Sequence, residues 1–220
     1  MAGAIQNRQS RFTSPDRALQ LAHRSLLAAR ELDDPVLVAD KTFSVGFHLL
    51  WRRRLDESEA RLGAAAGLFA DIAAESRTIP ALVYLTVVSR FRGDVATTRR
   101  RAHIALEVCE HEQSAIYVAA CRANLAWCAL RDGDVDAARS ESFEATSIWS
   151  DPRRLPYPFQ GLALWPALAL TRRGDSDLVG RLVEQLLAPT QQVLPVDIEQ
   201  SLTAGDLDSA LAWAMSAGFA

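Results

Sequence analysis

The stretch from His103 to Cys128 gathers two imidazoles and three thiols: His103, Cys109, His111, Cys121 and Cys128. These side chains hold zinc when they come in pairs two to four residues apart. Cys109 and His111 come nearest to that spacing, whereas Cys121 and Cys128 stand 128 − 121 = 7 apart, on one face of a helix. Buried thiols beside a surface histidine fit the pattern better, because free cysteine is among the most buried residue types. No metal is expected. Three cysteines cannot all pair, and reduced thiols in a cytosol are the simpler reading. His23 and His48 stand alone, with no serine or cysteine spaced as a nucleophile.

Lys41 is the only lysine and sits in "VADKTFS", without the glycine-rich loop that wraps phosphates in backbone N–H groups. Asp33-Asp34 is adjacent acid at a helix end, and no segment alternates like the strands on which paired metal-binding aspartates would sit. Neither pattern supports an enzyme, and no cofactor is expected. Arginines are more suggestive. Arg52-Arg53-Arg54, Arg90 with Arg92, Arg131 and Arg172-Arg173 all precede a turn, where a cation meets the negative end of the helix dipole. Aligned along an array, they would also form a positive strip for an acidic partner or a phosphate. Arg99-Arg100-Arg101 falls within a helix instead.

The elements that must position these groups are read from a recurring pair. "RFRGDVATT", "LRDGDVDAA", "TRRGDSDLV" and "LTAGDLDSA" place Gly93-Asp94, Gly133-Asp134, Gly174-Asp175 and Gly205-Asp206 between apolar runs at helical spacing. Glycine ends a helix in the left-handed backbone, and the following aspartate caps the next one. The glycines are 133 − 93 = 40, 174 − 133 = 41 and 205 − 174 = 31 residues apart. "RRRLDESEA" extends the series backwards with Arg54 in the glycine's place and Asp56 and Glu59 as a capping box. Twelve residues beyond the turns stand Ala66, Ala105, Ala145 and Ala217, and five beyond stand Ala138 and Ala210. Small residues at fixed places let helices approach closely.

The expected fold is therefore all-α, a right-handed superhelical array (solenoid) of antiparallel hairpins forming a single domain over 1–220. Hairpins are predicted at about 35–75, 77–112, 114–150, 156–189 and 196–217. Residues 1–13 form a weakly ordered N-terminus. Residues 14–34 read as an unpaired helix with Ser14 as N-cap and Pro15 in the first turn. Pro35, Pro80, Pro152 and Pro156 fall near helix starts, while Pro166 should kink its helix. At 220 residues, 49% hydrophobic and 23% charged, the chain can bury a substantial core. Its net charge of −3 provides no bulk attraction for nucleic acid or anionic membrane. "MAGAIQNRQSRF" lacks the apolar centre of a signal peptide, and "GLALWPALAL" is half the roughly 20 residues that span a bilayer. A cytoplasmic protein is expected.

At Gly133, Asp134, Ala138 and Ala145, with the Leu125-Ala126 pair before them, the chain resembles the tetratricopeptide family. Its period near 40 exceeds that family's roughly 34 residues, which longer helices explain. A second resemblance lies in the C-terminal third, in Leu164-Trp165-Pro166, Leu186-Leu187, Pro189, Gln191-Gln192 and Leu194-Pro195. These look like the terminal repeat region of bacterial multidomain regulators that carry a class III adenylate or guanylate cyclase, or a transcriptional activator, with a signal-transduction ATPase. The final hairpin is shorter than that family's closing pair.

The resemblance implies a non-enzymatic, signal-transmitting module that binds a protein or peptide. The partner could be a cyclase or ATPase region, in cis or in trans. In the tetratricopeptide register the groove-facing positions include His48, Trp51, Arg90, Trp127 and Thr171. The competing readings are core packing for the tryptophans and a small-ligand or metal sensor built on the Cys/His cluster or the arginines.

Overall fold

A computed structural model describes residues 15–149, which contain seven helices and no strand. They are α1 Pro15–Glu31, α2 Pro35–Trp51, α3 Leu55–Asp71, α4 Glu75–Phe91, α5 Val95–His111, α6 Ala115–Asp132 and α7 Val135–Trp149. The all-α class stands. Ser14, Thr171, the turns at Gly174-Asp175 and Gly205-Asp206 and the hairpins at 156–189 and 196–217 lie outside the described residues.

The helices keep strict time. Each starts 20 residues after the last, from 35 − 15 = 20 to 135 − 115 = 20. A left-handed residue marks every turn at the same interval: Asp33, Arg53, Ala73, Gly93, Gln113 and Gly133. Around four of these turns the backbone closes the helix end with paired bonds. Arg54 N–H donates to the Leu49 carbonyl and Arg53 N–H to that of Leu50, and the same pattern recurs at Ala73–Ala74, Gln113–Ser114 and Gly133–Asp134. This arrangement satisfies carbonyls that the last turn of a helix otherwise leaves open. Asp34, Asp94 and Asp134 then cap the next helices, accepting the N–H groups of Leu37, Thr97 and Ala137 at 2.9–3.0 Å.

Four expectations need correction here. Arg53, not Arg54, occupies the glycine's place, because 93 − 53 = 40 keeps the register. Arg54 becomes the N-cap of α3 without a side-chain cap bond, and its guanidinium grips Glu57 instead. The capping box of Asp56 and Glu59 does not form: both carboxylates receive Arg92. The same one-residue shift makes Ala65, not Ala66, the fully buried alanine of α3. Pro80 also sits deeper than expected, since α4 begins at Glu75.

The chain divides into two compact units, one ending at Arg92 and the other beginning at Gly93. In the first unit, Leu19, Ala22 and Leu26 of α1 pack on Val45 and Leu49 of α2. On its other side α2 meets α3 closely enough that Ser58 Oγ donates to the Gly46 carbonyl at 2.8 Å. Ala39, Ala65 and Phe69 form the core there, with Phe43, Leu68 and Ile72 packed against it. α4 packs on α3 and touches α2. In the second unit α6 packs against both α5 and α7. Arg122 on α6 bridges Glu110 of α5 and Glu141 of α7 at 3.6 and 3.2 Å.

Odd and even helices differ in burial. In α3 and α5 a single stripe is buried, with Ser58 and Thr98, Ala65 and Ala105, Phe69 and Cys109 in matching places. In α2, α4 and α6 burial extends over more of the surface, as in the unbroken run from Val45 to Leu50. Surface ion pairs follow the register too. Arg52–Asp16 recurs 40 residues on as Arg92–Asp56. The positions of Arg92–Glu59 recur as Asp132–Arg99, with the charges exchanged.

Candidate interaction surface

Of the groove-facing residues expected from the register, His48, Arg90 and Trp127 are buried and Trp51 is half-buried. Trp127 has no exposed surface, and the guanidinium of Arg131 lies over its ring at 5.8 Å. The cause is the deep burial of the even helices: a residue there faces a neighbouring helix over most of its circumference. Trp51 escapes because it ends α2, where the chain turns away.

Trp51 belongs to an aromatic seam between α2 and α4. Phe43 and Phe47 meet Tyr84 at 5.6 and 5.1 Å, and Phe47 and Trp51 lie 6.1 Å apart. Trp51 meets the Phe91 ring edge to face at 5.7 Å. The guanidinium of Arg53 then stacks on the outer part of this seam, 4.1 Å from the Phe91 centroid. Such edge-to-face pairs and cation–π contacts each contribute about 0.5–1.5 kcal/mol beyond simple burial. Sequence reasoning placed Arg53 in the arginine strip but missed Phe91, although the signal existed: Phe91 occupies Trp51's position one 40-residue repeat later.

The arginines at this end of the first unit differ in how their charge is met. Arg52 pairs with Asp16 at 2.7 Å, Arg54 with Glu57 at 2.6 Å, and Arg92 with both Asp56 and Glu59. Arg53 has no carboxylate among the described residues. Packing on the seam partly strips water from its guanidinium and lowers its pKa. The opposite holds for Arg54, whose hydrogen bond to Glu57 raises its pKa. In the second unit Arg99, which lies within a helix and outside the expected strip, pairs with Asp132.

The Cys/His cluster does not converge. Cys109, Cys121 and Cys128 are free and buried, while His103 and His111 point to solvent. No three potential metal ligands come together among the described residues. The Cys121 thiol donates into a contact with Cys109, and that hydrogen bond together with burial pushes its pKa well above the ordinary thiol range. A protonated, enclosed thiol is a poor nucleophile and a poor metal ligand. Asp33 and Asp34 serve the first turn, one as its left-handed residue and the other as a cap.

No protein-family model matches the chain, and no curated protein matches it. Over the described residues the fold defines a class, all-α, with a helix beginning every 20 residues. None of its described helices is long and apolar enough to cross a membrane.

Proposed function

We propose that this chain is a non-enzymatic helical-repeat module, tetratricopeptide-like and wound as a right-handed solenoid, that docks a protein or peptide. The observation that carries this reading is the 20-residue recurrence of helix starts and left-handed turns. Identical steps of that kind build an extended surface rather than one enclosed pocket, and such surfaces select partners by shape. The half-buried seam at Trp51 and Phe91 is the docking surface within the first unit. A half-buried tryptophan such as Trp51 is a common anchor for binding energy. The resemblance of the C-terminal third supports reading the module as part of a cytoplasmic bacterial regulator of the cyclase or ATPase type, contacting that region in cis or in trans.

Trp51→Leu tests the surface, since leucine keeps an apolar side chain in the seam while removing the indole. The variant should melt within a few degrees of the parent and lose recovery of a cyclase or ATPase segment co-expressed with it. Equal recovery would remove Trp51 from the site. Nucleotide turnover by the purified chain would overturn the non-enzymatic reading.

A further inference from the structure

The docking reading leaves open what kind of peptide the seam accepts, and the arginine census supplies an answer. Four exposed arginines crowd one end of the first unit, and three are already matched by carboxylates of the same unit. The fourth, Arg53, lies on an aromatic ring. Its backbone is fixed by the turn, with φ 59, and its own N–H bond to the Leu50 carbonyl, with that of Arg54 to Leu49, holds that turn closed. The turn thus holds its Cα in place, and the guanidinium rests on the Phe91 ring. A guanidinium stacked on a ring keeps its planar edge of N–H donors directed outwards, and that edge matches a carboxylate in two-point geometry.

Resting on the docking role of this surface, we propose that it takes an acidic peptide. One side-chain carboxylate is gripped by Arg53, and an adjoining apolar side chain is laid against Trp51 and Phe91. The pairing of charges favours this class of ligand. Arg52, Arg54 and Arg92 hold Asp16, Glu57, Asp56 and Glu59 between them, and Arg53 is the guanidinium of this group that has no carboxylate among the described residues. A basic peptide would meet that cation directly. A wholly apolar one would cover it without satisfying its donors, which costs more than leaving it in water. Recognition through one ion pair and one aromatic contact is modest in affinity and salt-sensitive.

The test uses the full chain and a fluorescein-labelled peptide, Gly-Glu-Leu-Glu-Phe-Glu-Leu-Glu-amide, with its Gln-for-Glu counterpart, followed by fluorescence anisotropy. The parent chain should bind the Glu peptide more tightly than the Gln peptide, and added salt should narrow the gap. Arg53→Gln should weaken the Glu peptide by about tenfold and leave the Gln peptide unchanged. Arg52→Gln should preserve the preference. Arg53→Gly suits the left-handed backbone, so it should keep the melting temperature and still lose the preference. Equal binding of the two peptides by the parent, absence of binding to either, or an unaltered preference in Arg53→Gln would overturn the proposal. So would displacement of the Glu peptide by inorganic phosphate at equal concentration, which would define a simple anion site. Equal binding that Trp51→Leu abolishes would leave the docking surface standing and remove only its preference for acid.

Discussion

Asp33, Arg53, Ala73 and Gln113 adopt φ between 51 and 59, a region that L-residues enter at a cost of roughly 1–2 kcal/mol. Gly93 and Gly133 fill the equivalent places without that cost. Gln113→Gly should therefore raise unfolding free energy by about 0.5–1 kcal/mol in urea melts, and Gly133→Ala should lower it by about 1 kcal/mol. A Gln113→Gly variant no more stable than the parent would show that the turn is held by other means. Asp94 offers a pH-dependent test. Its carboxylate accepts the Thr97 N–H and, secondarily, the Thr97 hydroxyl, which holds its pKa below the usual carboxylate range. A depressed folded pKa means that the cap stabilises fully above the unfolded carboxylate value, and the contribution fades as pH falls through the folded one. Asp94→Ala should flatten the acid limb of the stability profile and lower the plateau near neutrality. The glycine turns at Gly93 and Gly133 were legible to the residue, because glycine advertises the left-handed backbone. Arginine, alanine and glutamine in the same conformation carry no such mark, and this is why the reading slipped by one residue at Arg53.

At the scale of the helix pair, α2 and α3 are joined at Gly46. A Cβ there would stand 2.9 Å from Leu62 Cγ and 3.0 Å from the Leu62 backbone nitrogen. The side chain could yield, but the backbone could not. Gly46→Ala should cost about 1–3 kcal/mol as an overpacked contact, and Leu62→Ala in combination should recover little of it. Gly67, in the same α3 helix, has nothing within 4 Å of its would-be Cβ. Gly67→Ala should stabilise by about 0.5–1 kcal/mol through helix propensity alone. Thermal melts of the two variants should move in opposite directions, and a shared direction would contradict the close approach at Gly46. The helices themselves were legible from apolar spacing and caps. Trp127 was legible as either an interior or a groove residue. The register marked a position shared with a groove, while its burial depends on how closely α5 and α7 flank α6, which small residues such as Ala105 and Ala138 determine.

Across the described residues the unit of construction is 40 residues, two helices with both turns. Deleting residues 35–74 removes one such unit and joins Asp34 to Glu75, leaving helix direction alternating as before. That chain should keep its helicity per residue by circular dichroism and melt in one transition. Deleting 35–54 removes a single helix and places two helices of the same orientation in succession across a three-residue turn, which cannot span them. It should lose the cooperative melt. Equal behaviour of the two deletions would show that repetition is not the organising rule.

The exchanged polarity of Arg92–Glu59 and Asp132–Arg99 bears on this uniformity. Identical steps are interchangeable and invite a segment to settle in its neighbour's berth, within one molecule or between two. Here a one-repeat displacement would bring Arg92 against Arg99, or Asp132 against Glu59, so each berth rejects the wrong tenant although neither contact adds much strength. The reversed signs act as serial numbers written on otherwise similar bricks.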